Sequence, residues 1–364
     1  MTKLFLHSYG LRYQYRHKPG FDVFSLVDLA ADLGFDGLNV SCFEPYVEIS
    51  GIEPAHLRKL RAHLEKRGVL IDIETAGTEP AHIERWLAIA QELGAGFLRT
   101  YTKGTLDRRL RIEEAKANLA QAVLAAERAG IPLLLENHED IAASEVAEIL
   151  THVNSPWIQG LFDYVNSMLF YEDPLTSLDI MRPWIRSAHL KDCVILPPSE
   201  GGLLGVPIGA GNAPVAEITS QLIASGVDRI CFENTWSYQA AMRDRRGSAI
   251  VGDGFFRHSP LREPAEYTHI HDLLAKDPAK VVEFEYRALR HSLQWLKTEV
   301  PAFACINIPE PRMHEGAVGS SFAAGFGGGA THFSAHVDDV LKIVDPIRAE
   351  RQDRLADSEA GAPS

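Results

Sequence analysis

Short apolar or β-branched runs alternate with helix-length amphipathic stretches eight times along this chain, and that alternation constrains the fold more than any other feature. The predicted strands are Lys3–His7, Gly37–Ser41, Leu70–Glu74, Phe97–Tyr101, Pro132–Glu136, Gln159–Asp163, Ile185–His189 and Arg229–Glu233. Helices are expected near 22–33, 53–67, 80–93, 112–129, 143–152, 173–181, 213–225 and 279–298. Gly34, Gly68, Gly94, Gly130 and Gly226 stand where left-handed C-caps would end five of them. Strict alternation calls for parallel strands joined by crossover helices. Eight such units, from Lys3 to about residue 298, suit a closed (β/α)8 TIM barrel of the α/β class. An open doubly wound sheet has a weaker case, because no G-x-G-x-x-G follows the first strand.

The chain has 364 residues, 46% hydrophobic and 23% charged, enough to bury a large core. Its formal net charge of −13 repels phosphate backbones, so nucleic acid is not an expected partner. The nearest basic cluster, Arg243, Arg245 and Arg246, contains Asp244 and no interleaved aromatics. Cys42, Cys193, Cys231 and Cys305 lie far apart with no C-x-x-C pair, which suits a reducing compartment. No apolar run reaches 18 residues and no leader pattern opens the chain, so a cytoplasmic protein without a membrane span is expected.

Two stretches depart from the repeat. Residues 237–278 form an insertion after the eighth strand, either a lid over the barrel mouth or a surface loop. Beyond a catalytic barrel expected over 1–300 comes an arm, 301–356. It holds the glycine-rich run Gly325–Gly329 and a short amphipathic segment at 336–351. The last residues, 357–364, are expected to be disordered. The glycine-rich arm lacks the strand-then-helix context of a phosphate loop and is read as a flexible or subunit-crossing segment.

In a parallel barrel all strands end at one face, so Glu136, Asp163, His189 and Glu233, which end the last four predicted strands, should converge. Three acids gathered in a partly buried mouth repel one another unless a cation neutralises them. An oxygen-rich set with one imidazole suits Mn²⁺, Mg²⁺ or Co²⁺ better than a thiolate zinc site. The bland alternative is that each acid merely ends its strand beside a lysine or arginine.

The segments Leu135-Glu136-Asn137-His138, Phe162-Asp163-Tyr164-Val165-Asn166, Ala188-His189-Leu190-Lys191-Asp192 and Phe232-Glu233-Asn234 resemble the ligand motifs of xylose-isomerase-like TIM-barrel enzymes, the sugar isomerases and epimerases. That resemblance implies a divalent ion, Mn²⁺ or similar, on Glu136, Asp163, His189 and Glu233. Many members read D-x-G-N where this chain has Val165, which would put a side chain near the ligand. Glu136-Asn137-His138-Glu139-Asp140 and Tyr171-Glu172-Asp173-Pro174, with the long loop Tyr9 to Phe21, look most like the large subunit of C-glycoside deglycosidases. This finer resemblance implies 3-oxo-glycoside substrates and a smaller second subunit in an oligomer.

A cation at a ketone oxygen acidifies the neighbouring C–H, and a base must then reach that proton. His138, two residues past Glu136, is the candidate base; the alternative is a residue that orients Glu136 or Asp163. Lys191 would offer a cation to substrate oxygens or pair with Asp163 or Asp192, and Glu233, His7 or a water would give a proton to the leaving carbon. Arg99, Tyr101, Trp236, His7 and Glu74 are candidate pocket-lining residues. In the isomerase or epimerase alternative, Glu136 and Glu233 exchange protons with the substrate. His269-x-His271 has ligand spacing without a third partner, and His56, His63, His82 and His152 read as solvated surface.

Overall fold

The computed structural model describes residues 2–41, 53–103, 107–196, 202–243 and 270–309. Eight parallel strands close on themselves: β1 (Lys3–His7), β2 (Gly37–Ser41), β3 (Leu70–Glu74), β4 (Leu98–Thr100), β5 (Leu133–Glu136), β6 (Ile158–Asp163), β7 (Ile185–Leu190) and β10 (Arg229–Phe232). The ring is sealed by β1 against β10, with Leu6 opposite Phe232. The expected (β/α)8 barrel is the observed fold, and strand starts and ends fall within a residue of their expected positions.

Helices α2 (Val23–Leu33), α3 (Pro54–Arg67), α4 (Pro80–Leu93), α5 (Arg108–Ala129), α6 (Ala143–Val153), α7 (Pro174–Met181), α8 (Val215–Ala224) and α10 (Pro278–Glu299) surround it. In α2 the buried residues Val23, Leu26, Val27, Ala30 and Leu33 recur at helical spacing and face the sheet. Asp22 caps that helix by accepting the Ser25 N–H at 2.8 Å, and Gly34 ends it at φ +80°. Gly68, Gly94 and Gly130 end α3, α4 and α5 in the same left-handed way. At α8 the cap is Ser225, with Gly226 the left-handed residue just after it.

Three features were not expected. The loop Tyr9 to Phe21 contains a 3-10 turn, Ser8–Leu11, and helix α1 (Arg12–His17). The stretch after β7 is an antiparallel hairpin, β8 (Asp192–Ile195) and β9 (Leu203–Val206), widened to three strands by β11 (Gln239–Ala240). The hairpin's residues are buried on both faces, so no alternating pattern marks it in sequence. At Gly205 any side chain would strike the Thr235 carbonyl, which lies 2.1 Å from where a Cβ would sit. A short helix, α9 (Ile270–Lys276), precedes α10.

A second apolar cluster lies between the small sheet and α10, built from Val194, Leu204, Val206, Val281, Phe284 and Trp236. Glu285 of α10 fastens this layer to the first loop. Its two carboxylate oxygens accept the N–H groups of Tyr13 and Gln14 at 3.0 Å each, capping the start of α1. Burial raises the Glu285 carboxyl to about pKa 7.

At the N-terminal end of the barrel, Arg229 of β10 reaches both oxygens of Asp72 on β3, at 2.9 and 2.7 Å. Its guanidinium also lies between the rings of Phe5 and Phe97. Residues 244–269, His269 among them, lie outside the described residues, as do the His271 side chain, the arm from 310 onward and the tail 357–364.

Candidate metal centre at the barrel mouth

Side chains two residues apart on a strand share a face, and each barrel strand turns its last such residue into the mouth. Glu136 ends β5, Asp163 ends β6, His189 is next to last in β7 and Glu233 follows β10. The four meet around one imidazole nitrogen. His189 Nδ1 lies 3.2 Å from Glu136 Oε1, 3.6 Å from Glu233 Oε2 and 3.9 Å from Asp163 Oδ2. Ligand atoms of Glu136, Asp163 and His189 fall within 4.8 Å of one another.

The other imidazole nitrogen is held from behind. His189 Nε2 lies 2.9 Å from Glu74 Oε1, an acceptor that also takes the Asn39 amide at 2.9 Å. Burial alone would depress the His189 pKa, but Glu74 and Glu136 outweigh it and raise the group to about 10. A carboxylate behind a ligating histidine fixes its ring and its tautomer.

Two cations of the chain divide the acids between them. Arg99 on β4 joins Glu74 Oε2 and Glu136 Oε2, at 2.8 Å each. Lys191 places Nζ 2.7 Å from Asp163 Oδ2 and 3.2 Å from Glu233 Oε2. Burial works against the charge on every one of these carboxylates. Arg99 and His189 nevertheless hold Glu136 well below the usual range, and Lys191 with His189 holds Glu233 at about 2. Asp163 is instead pushed up, by burial first and by Glu136 and Glu233 against the pull of Lys191.

Backbone groups fix Asp163 further. Its Oδ1 accepts the N–H of Val165 and Asn166, and Asn137 takes the Asp163 N–H at 2.7 Å and donates to its carbonyl at 3.1 Å. Asn137 is thus a clamp between β5 and β6 that its place in the E-N-H run did not disclose. The Val165 side chain, expected near the ligand, is buried in the apolar core.

The donor set fits a divalent ion. Glu136 Oε2, Asp163 Oδ2 and Glu233 Oε2 are buried and accept no hydrogen bond among the described residues, although each has a cation close by. Three carboxylates and one imidazole are the hard, oxygen-rich set that Mn²⁺, Mg²⁺ or Co²⁺ prefers.

The remaining expected pocket residues separate by depth. His138 is partly open and stacks on Tyr101, ring centres 3.9 Å apart and planes 10° apart, with Nδ1 3.4 Å from Asp140 Oδ1. His7 is buried: its Nδ1 accepts the Tyr9 N–H at 2.9 Å, so the proton sits on Nε2, 2.7 Å from Glu74 Oε2. Glu74 is 0% exposed and occupied by His7, Asn39, Arg99 and His189, so it supports the centre from behind instead of lining the pocket.

Trp236 is a correction. Its side chain is 0% exposed and packs edge-on against Tyr13 and Phe284, leaving no face for a ligand. Lys191 pairs with Asp163 but not with Asp192, whose carboxylate accepts the N–H groups of Cys193, Gly209, Gly211 and Ala213. Of His56, His63, His82 and His152, expected as solvated surface, His152 alone is exposed. His63 meets Asp28 at 2.9 Å, His82 meets Thr75 at 2.8 Å, and His56 packs against Phe24.

Sequence reading missed the rim. Tyr238 donates to Glu139, and Arg243 pairs with the same carboxylate. The Arg243 N–H reaches the Leu169 carbonyl at 2.8 Å. The first residues of the insertion, 237–243, are therefore clasped across the mouth to the loops after β5 and β6. Tyr9 packs edge-on against Tyr238 at 5.9 Å, completing an aromatic wall.

Comparison with known proteins agrees with this architecture. A curated relative, the uncharacterized protein YihM of Escherichia coli K12, is 24% identical over 62% of this chain and 69% of its own length. The 3-oxo-isoapionate decarboxylase of Pectobacterium atrosepticum is 26% identical over 40% of this chain, and the match spans about half of that enzyme, 53%. The crystal structure of D-psicose 3-epimerase from Clostridium cellulolyticum H10, 13% identical, superposes over 79% of this chain and 99% of its own with a TM-score of 0.54. Residues 27–254 match the xylose isomerase-like TIM barrel family, and the chain belongs to that family.

Proposed function

We propose that this protein is a divalent-metal-dependent carbon–carbon lyase that removes the aglycone from 3-oxo-C-glycosides. The observation that carries the reading is the convergence of Glu136, Asp163, Glu233 and His189 Nδ1 at one mouth, where Asp163 Oδ2 and Glu233 Oε2 face that nitrogen and accept no hydrogen bond among the described residues. Glu136, Asp163, His189 and Glu233 would hold the ion. When bound, it polarises the sugar ketone and offsets the negative charge that develops on its oxygen, a contribution of several kcal/mol.

The rest belongs to the chain's own side chains. His138 removes the proton from C2, next to the 3-oxo group. The electron pair left at C2 forms the C1–C2 double bond as the C1–aglycone bond breaks, and the departing carbon takes up a proton. Glu233 is ionised and His7 is bonded at both nitrogens, so the proton returns from His138 or comes from water. Tyr101 holds the His138 ring plane, and Asp140 lies on its Nδ1 side, which leaves Nε2 for the substrate. Tyr238 offers an aromatic ring to a sugar or a planar aglycone, beside Tyr9, whose ring carries the Arg12 guanidinium, and Tyr101, whose face is taken by His138.

Two further observations support cleavage over isomerisation. The relative from Pectobacterium is named for breaking a carbon–carbon bond of a 3-oxo compound. An epimerase would also need Glu136 as a free acid–base group, yet Arg99 and His189 enclose it and it is 0% exposed. The reading brings with it a smaller partner subunit and a native ion such as Mn²⁺.

Mn²⁺-loaded protein should be given a 3-oxo-C-glucoside and, separately, a free ketose, with products resolved by mass. Release of the aglycone supports the lyase. A mass-conserving conversion of the ketose, with the glucoside untouched, replaces it with an isomerase or epimerase.

A further inference from the structure

The two cations at the centre are not equivalent. Arg99 contacts Glu136 through Oε2 and Glu74 through Oε2, while the Glu136 oxygen that faces His189 Nδ1 is Oε1. Arg99 therefore leaves the inward oxygen of Glu136 to His189 Nδ1 at 3.2 Å and the Asn166 amide at 3.5 Å. Lys191 contacts Asp163 Oδ2 and Glu233 Oε2, the same two oxygens that face His189 Nδ1. Asp163 has no spare oxygen to offer, because its Oδ1 is committed to the N–H groups of Val165 and Asn166.

An ammonium and a divalent ion cannot both take Asp163 Oδ2 and Glu233 Oε2 at full strength, since two cations on the same oxygens repel each other. Neither oxygen accepts a hydrogen bond among the described residues, so the ammonium balances charge there without a well-directed bond. The root of the side chain is fixed: Asp192, the next residue, is buried and bonded to four backbone N–H groups. Only the flexible stem of Lys191 is left to change position.

We propose that the Lys191 ammonium is a built-in stand-in for the divalent ion, holding Asp163 and Glu233 together in the metal-free protein and handed over to substrate oxygens when the ion takes those carboxylates. The proposal rests on the metal-centre reading of the preceding section. It makes Lys191 a competitor of the ion as well as a substrate ligand, and it assigns Arg99 the permanent part of the charge balance.

The test uses the full chain, stripped with a chelator and titrated with Mn²⁺ by calorimetry, as wild type and as Lys191→Met. The variant should bind Mn²⁺ about tenfold more tightly, because the competing cation is gone. Its metal-free form should melt several degrees below the wild type, and saturating Mn²⁺ should close most of that gap. A variant that stays folded only when Mn²⁺ is present supports the proposal in the same way, and Lys191→Gln then supplies the affinity comparison. Equal or weaker Mn²⁺ binding by a folded variant overturns the stand-in role while leaving the metal centre intact. A wild type that takes up no Mn²⁺, Mg²⁺ or Co²⁺ overturns the metal centre itself, and this proposal with it.

Discussion

The rings of Tyr101 and His138 lie face to face, 3.9 Å between centres, beside the carboxylates proposed to hold the ion. A base held by stacking can be removed without disturbing the ligands beneath it. His138→Ala should keep the full metal content on elemental analysis and lose about 10²- to 10⁴-fold in turnover of a 3-oxo-C-glucoside. An alanine variant with wild-type turnover would remove His138 from the chemistry.

Glu74 never meets the proposed ion, yet it should govern its affinity. Its Oε1 receives His189 Nε2 and its Oε2 receives Arg99. Glu74→Gln keeps the shape, halves the acceptor capacity and leaves Arg99 short of a partner. Mn²⁺ affinity should fall about 10- to 100-fold by calorimetry. Unchanged affinity would show that His189 needs no support from behind.

The pH dependence follows from His189, whose pKa in the metal-free fold is about 10. That value lies above the roughly 6.5 of a free imidazole, so the protonated ring stabilises the metal-free fold fully below about pH 6.5. This stabilisation drains away as pH rises through about 10. Metal binding through Nδ1 must expel that proton. Mn²⁺ affinity should therefore tighten by about tenfold per pH unit between neutrality and pH 9. Calorimetry in buffers of different ionisation enthalpy should count one proton released per ion, and a count of zero would place the ion elsewhere.

Stability should depend on the opposite end of the barrel. The Arg229 guanidinium grips Asp72, which is 0% exposed and also accepts the N–H groups of Gly96 and Phe97. Arg229→Met strands that carboxylate and should cost about 3–5 kcal/mol in urea unfolding. Mn²⁺ affinity, set at the other end, should stay as in the wild type. A loss of affinity matching the loss of stability would mean that the two ends are coupled.

The barrel and its convergent strand ends were legible because both follow from local rules. Period-two strands, capped helices and a parallel ring place Glu136, Asp163, His189 and Glu233 together whatever the rest of the chain does. What escaped depends on partners distant in sequence. The commitment of Arg99 to Glu74 and Glu136, and the burial of Trp236 under α10, are long-range outcomes that no local pattern carries. Glu74 looked like a pocket residue because it ends its strand as the ligands do, and only its four neighbours show that it faces the back of His189. The run Tyr171-Glu172-Asp173-Pro174 read as a family mark, yet its residues have folding duties. Asp173 caps α7, and Glu172 accepts the Ala143 N–H at the start of α6.

The contact of Glu285 with the N–H groups of Tyr13 and Gln14 spans 272 and 271 residues of chain. A nascent polypeptide emerging from the ribosome can assemble most of its staves well before residue 285 is made. The loop around Tyr9 is tied earlier, to Ser41, Asn234, Trp236 and Ser237, but the start of α1 lacks its carboxylate cap until then. Synthesis itself therefore leaves the finishing of that helix start to almost the last turn of the outer ring, and chains that stop short of residue 285 should show an uncapped α1.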